Sequence, residues 1–138
     1  MAANQYNGEI DITLYDKTYP MKINMNVIAK FQSETQHDYM QVSIRAMNAL
    51  RKTTDLDPFD QAQVMTEAVS MFDAAWLFFL AAKEMDKTVT FEEIQEAVLY
   101  EGPLMKVEDE QVIESYPVKF ANLVIFATLG VVDNAKKQ

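Results

Sequence analysis

Ala74-Ala75-Trp76-Leu77-Phe78-Phe79-Leu80-Ala81-Ala82 is a run of nine consecutive apolar residues, bracketed closely by Asp73 and Lys83. It falls well short of the roughly twenty residues needed to cross a bilayer, so no membrane span is expected. It reads instead as a buried helix segment in a soluble intracellular protein. Extended in both directions, the pattern predicts one long helix over 59–85. Val64, Ala68, Met71, Ala75, Phe78 and Phe79 share one stripe, which Met65, Val69, Phe72, Trp76 and Leu80 widen. An apolar face this broad belongs to a helix covered on more than one side. The rest of the fold is expected to assemble around it.

Two period-two runs precede it. Ile10, Ile12 and Leu14 alternate with Glu9, Asp11, Thr13 and Tyr15, and Tyr19, Met21 and Ile23 alternate with Thr18, Lys22 and Asn24. Separated by Asp16-Lys17, they predict a β-hairpin over 9–24, with Pro20 confining its strand to an edge. An isolated hairpin is marginal in water, so its Ile/Leu/Met face must lie on helices. Helices are expected from an Asn26 cap to about Gln36, and from an Asp38 cap through Val42, Ala46, Ala49 and Leu50. Asp57 and Pro58 supply a cap and a first helical residue for the long helix. Thr90-Phe91-Glu92-Glu93 is a capping box opening a helix that stops at Gly102-Pro103. After an acidic stretch, a closing helix carries Ile113, Tyr116, Phe120, Leu123, Val124 and Ala127 as far as Gly130, with Pro117 either beginning it or kinking it. Residues 131–138 read as a loose tail. The expected fold is α+β and mainly α-helical: a single domain over 1–138, with an N-terminal β-hairpin packed on a bundle of about five helices.

Composition removes most function classes. With 49% hydrophobic residues in 138, the chain can bury a core without metal or disulfide. It has no cysteine, which excludes disulfides, thiolate zinc sites, iron–sulfur clusters and cysteine nucleophiles. Three glycines and the lack of a Gly-Lys-Ser/Thr string leave no phosphate loop, and no cofactor is expected. The first eight residues, Met1 to Gly8, lack the charged and apolar regions of a leader. Net charge is −9, so phosphate backbones would be repelled and nucleic acid is not an expected partner. Between Glu84 and Glu114 lie ten acidic residues against two lysines, Lys87 and Lys106. That density is either a solvated face or an acidic docking surface for a basic partner.

The apparent chemical motifs weaken on inspection. Glu34 and His37 have the spacing of paired helix ligands, but His37 is the only histidine and no second copy can complete a di-metal site. Ser33 and His37 would need an orienting carboxylate and an oxyanion hole, and nothing in the sequence points to either. Asp55-Leu56-Asp57-Pro58-Phe59-Asp60 lacks the glycine and terminal glutamate of a calcium loop; capping accounts for these aspartates. Glu92 and Glu96 have no aromatic sugar platform nearby and read as solvated surface. No enzyme is expected. Two signals remain: nine methionines, either core fillers or an adaptable client surface, and the aromatic weight of the two apolar helices. If those helices keep apolar area uncovered, it marks a self-association or partner groove, with Met71, Phe72, Trp76, Phe79, Phe120, Leu123 and Phe126 as candidates.

The order of elements carries a resemblance. Ile12-Thr13-Leu14-Tyr15-Asp16-Lys17-Thr18-Tyr19-Pro20-Met21-Lys22-Ile23-Asn24-Met25-Asn26 leads straight into a short helix; a long apolar helix, Val89-Thr90-Phe91-Glu92-Glu93-Ile94 and an apolar closing helix follow. Over most of residues 9–130 this pattern resembles the tail assembly chaperones of long-tailed bacteriophages. The resemblance implies a non-enzymatic protein that coats the helical tape measure protein while tail tube protein polymerises around it. It also implies homo-oligomerisation, a place in the host cytoplasm and absence from the mature virion. Family members often exist in a second, longer form made by ribosomal frameshifting, with which Lys136-Lys137 is compatible. No individual functional residue is carried over. Two alternatives stay open: a structural tail or connector subunit that remains in the particle, and an acidic inhibitor mimicking DNA charge.

Overall fold

Side-chain caps decide where this chain changes direction. The computed structural model describes residues 4, 7–104, 106–108 and 111–137, with the side chains of 105–113 and 129–138 left out of account. The elements run in the order β1 (Glu9–Leu14), β2 (Lys17–Lys22), α1 (Met25–Thr35), α2 (Tyr39–Lys52), α3 (Pro58–Ala68), α4 (Met71–Met85), α5 (Phe91–Glu101), β3 (Lys106–Glu108), β4 (Gln111–Ile113) and α6 (Tyr116–Lys137). This is the expected α+β, mainly helical architecture with an N-terminal hairpin.

Asp38, Asp57 and Thr90 cap α2, α3 and α5 as expected, and Thr90 with Glu93 closes the full capping box. Gly102, at φ 73°, terminates α5. Pro117 lies in the first turn of α6, where its missing amide proton costs nothing. At α1 the cap is Asn24 rather than Asn26: the Asn24 side chain accepts the Val27 amide at 2.9 Å, while the Asn26 amide group donates to Glu84.

The largest departure is the expected helix over 59–85, which is two helices meeting at a 73° bend. Val69 is extended, and the Ser70 hydroxyl accepts the Asp73 amide at 3.0 Å, starting a new helix. The apolar periodicity runs through the break because both helices turn an apolar side to the same core. Two further expectations are corrected. The acidic stretch contains a small antiparallel hairpin, β3–β4, in which Ile113 pairs with Lys106, so Ile113 is not part of the closing helix. That helix also continues beyond Gly130 through the supposed loose tail to Lys137. Residues 1–3, 5 and 6 of the N-terminal segment, and Asp109 and Glu110 of the acidic stretch, lie outside the described residues.

α4 is the central element, packing against β2, α1, α5 and α6. Its Leu77 and Phe78 are fully buried, and Phe78 meets Phe120 of α6 edge to face with ring centroids 6.2 Å apart. The hairpin covers one side of this core with Ile12, Leu14, Tyr19 and Met21, while Ile10 and Ile23 are partly buried against it. Its loop is Tyr15-Asp16, one residue earlier than the Asp16-Lys17 expected, because Leu14 pairs with Lys17. A two-residue loop makes that closing pair hydrogen-bonded, so the alternation puts Pro20, opposite Asp11, at a non-hydrogen-bonded position. Its lack of an N–H costs the ladder nothing there.

Two carboxylates on α5 fasten the hairpin to the helices. At the C-terminal end, buried Glu101 accepts the Tyr15 amide at 2.7 Å and pairs with the Lys119 ammonium of α6, which also donates to the Thr13 carbonyl at 2.6 Å. At the N-terminal end, Glu93 accepts the Thr90 amide, the Tyr19 hydroxyl at 2.9 Å and the Lys17 ammonium at 3.3 Å. The Thr90 bond first, then Tyr19 and Lys17, hold the Glu93 carboxyl below its ordinary 4.5. A depressed folded-state value means that this stability is present above pH 4.5 and is lost as pH falls through the folded value. The urea midpoint of Glu93→Gln is therefore expected to lie below that of the unaltered protein at neutral pH and to converge with it between pH 5 and 3. A gap that stays constant over that range would show that the charged form of Glu93 is not what matters.

Candidate functional site

Helix α5 lies alongside α4, and their line of contact is aromatic. Phe91, one residue after the Thr90 cap, stacks at a tilt on Trp76 with centroids 4.4 Å apart and meets Phe79 nearly perpendicularly at 5.6 Å. Trp76 and Phe79 are themselves in edge contact at 5.9 Å. The Lys83 ammonium lies 5.3 Å from the Phe79 ring centroid at the far end of this cluster. At the near end the Ser70 cap matters most. Because α3 leaves at a steep angle, it does not shield the first turn of α4, and Met71 and Phe72 remain 39% and 48% exposed. Between the helices runs an open groove of about 320 Å³, lined by Met71, Phe72, Trp76, Phe91, Gln95 and Val98. Among the described residues, no Lys, Arg, Asp or Glu lines it.

The groove is therefore an apolar trough with one amide on its wall. Among the described residues, no side chain lining it is nucleophilic or titratable, and the surface it offers is one on which apolar groups can be buried. Neither protein-family models nor curated proteins nor solved structures match this chain.

Of the seven candidate contact residues, Met71, Phe72 and Trp76 come together on this groove, and Phe79 supports its floor through Trp76 and Phe91. Phe120 and Leu123 do not: each is 1% exposed in the central core, Phe120 against Phe78 of α4. The face of α6 that carries them is the one that seals the core, so they cannot meet a partner in the folded chain. Phe126 is half-buried on α6 and lines none of the hollows described here. Phe91, Gln95 and Val98 complete the groove and are not among those seven candidates. Their i, i+4, i+7 spacing places them on one helical face and was the available signal. The methionines divide: Met21 and Met65 are buried, whereas Met25, Met40 and Met71 are exposed.

The other polar clusters are engaged structurally. His37 acquires the carboxylate partner that the sequence did not disclose, its Nδ1 lying 2.8 Å from buried Asp73 at the start of α4. Among the described residues no hydroxyl bonds to its other ring nitrogen, so no nucleophile completes the pair. Nor do three His, Asp or Glu side chains among the described residues form a group able to hold a metal ion. A larger hollow of about 430 Å³ lies between β2 and the end of α4, but its charged residues are taken: Lys17 by Glu93 and Asp86 by Thr88. No single helix among the described residues is long and apolar enough to cross a membrane.

Proposed function

We propose that this protein is a non-enzymatic assembly chaperone of the phage-tail kind, which holds the tape measure protein in a soluble state during tail assembly. The observation that carries this reading is the open apolar groove of Met71, Phe72 and Trp76 between α4 and α5. An amphipathic client helix buries its apolar side in such a trough, with flexible Met71 adapting to different side chains. The −9 net charge keeps the resulting complex dispersed, as a protein that coats an aggregation-prone partner requires. On this reading the protein acts as a homo-oligomer in the host cytoplasm, contacts tail tube protein as the tube forms, and leaves before the particle is complete.

Co-expression with the tape measure protein encoded in the same genome tests it. The tape measure protein is expected to shift from the insoluble to the soluble fraction and to co-purify with this chain, and mass spectrometry of finished virions is expected to find none of the latter. No rescue and no complex would overturn the proposal. Recovery of the chain from virions in stoichiometric amounts would make it a structural subunit instead.

A further inference from the structure

We propose that the α4–α5 groove selects a basic amphipathic helix, seating its apolar side on Met71, Phe72 and Leu99 and its Lys or Arg side chains over Glu92 and Glu96. The inference rests on the reading of the groove as a client site and adds the client's charge and the residues that select it. Helix α5 contains four glutamates and no lysine or arginine. Two are committed internally, Glu93 to Tyr19 and Lys17, and Glu101 to Lys119 and the hairpin loop. The other two, Glu92 and Glu96, are exposed, and no hydrogen bond or ion pair among the described residues engages them.

Their position follows from helix geometry. At about 100° per residue, Phe91, Gln95 and Val98 point into the groove, while Ile94 and Ala97 turn to the core. On the opposite, solvent side of the groove line come first Leu99, 59% exposed, and then Glu92 and Glu96. The trough thus continues outward over an apolar side chain and ends in two unpaired carboxylates. Phe91 to Val98 spans about 10 Å, two helical turns, which suits apolar anchors at i, i+3, i+4 and i+7 with cations on the flank. A second copy of this chain fits poorly. A two-fold pairing with its axis across the groove would bring the glutamates of one α5 onto those of the other, and in any pairing both copies carry the same −9 net charge, so like charges are repelled.

The test uses the full chain and two synthetic helical peptides that share a leucine face, one with lysine and one with glutamate at the remaining positions. Trp76 is the single tryptophan and lines the groove, so its emission reports occupancy. The lysine peptide is expected to bind about tenfold more tightly than the glutamate peptide, the difference shrinking as salt rises. Glu92→Lys with Glu96→Lys should weaken the lysine peptide by a similar factor with an unchanged circular dichroism spectrum, and Phe72→Ala should weaken both peptides. Equal affinity for the two peptides, or indifference to the double charge reversal, would overturn the charge assignment. So would a Phe72-dependent self-association, seen by sedimentation, that excludes the lysine peptide. Because tape measure rescue is read separately, those results leave the chaperone reading standing. Peptide selectivity without rescue would sink that reading alone.

Discussion

Lys119→Met is expected to destabilise the protein by about 3–5 kcal/mol, because it strands the Glu101 carboxylate in the interior without its cation. Both side chains are deeply placed, with 5% of Glu101 and 12% of Lys119 exposed, so water cannot replace the lost partner. In a chain of 138 residues this lowers the melting temperature by roughly 10–20 °C. The fastening is specific to the hairpin. Glu101 holds the Tyr15 amide, and Lys119 holds the Thr13 carbonyl, so removing the pair frees the loop from α5 and α6 together. Replacing both residues with Met should recover a large part of the loss. The carboxylate is then gone, and what remains is the part-buried Tyr15 amide without an acceptor, worth about 1–3 kcal/mol, and an exposed Thr13 carbonyl that water can reach. Thermal unfolding of the two single variants and the double variant forms the cycle that checks this. Additive losses would show that the pair is not coupled.

Phe120→Ala and Phe72→Ala are expected to fail in opposite ways. Phe120 is sealed against Phe78, and its truncation leaves a cavity between α4 and α6 at a cost of about 3–5 kcal/mol. Phe72 is 48% exposed, so truncating it changes stability by less than about 1 kcal/mol. On the function proposed here, however, Phe72→Ala removes an anchor of the client groove and reduces recovery of soluble tape measure protein. Urea denaturation of each purified variant, set beside the co-expression yield, separates the two roles. A destabilised Phe72→Ala, or a Phe72→Ala that rescues as well as the unaltered chain, would move the functional surface elsewhere.

Trp76 lies between these extremes. It is half-buried, lines the groove and stacks on Phe91, so substituting it would disturb fold and surface at once. Phe72 and Phe120 give cleaner answers. Periodicity alone places both in one aromatic group, since apolar spacing reports that a face is covered without saying by what.

The chain's local chemistry specifies much, but not all, of its local structure. Alternation over 9–15 and 18–24, the Asp38 and Thr90 caps and the Gly102 stop each act within a few residues, and the hairpin and helices they imply are present; the Asp57 cap also holds, but it opens the shorter α3 rather than one helix over 59–85. The Ser70 cap acts over the same short range and was readable in principle. It was masked by an apolar pattern that stays in phase across the bend, because α3 and α4 serve one core. Nothing local distinguishes Phe72 from Phe120, Glu101 from Glu92, or a histidine at a helix end from one paired with Asp73. Those distinctions depend on which distant segments arrive alongside: α4 over Phe120, α6 beside Glu101, the α1–α2 connection beside Asp73, and among the described residues no segment sealing Phe72. Burial and charge pairing are properties of neighbours far apart in the chain, and only folding brings those neighbours together.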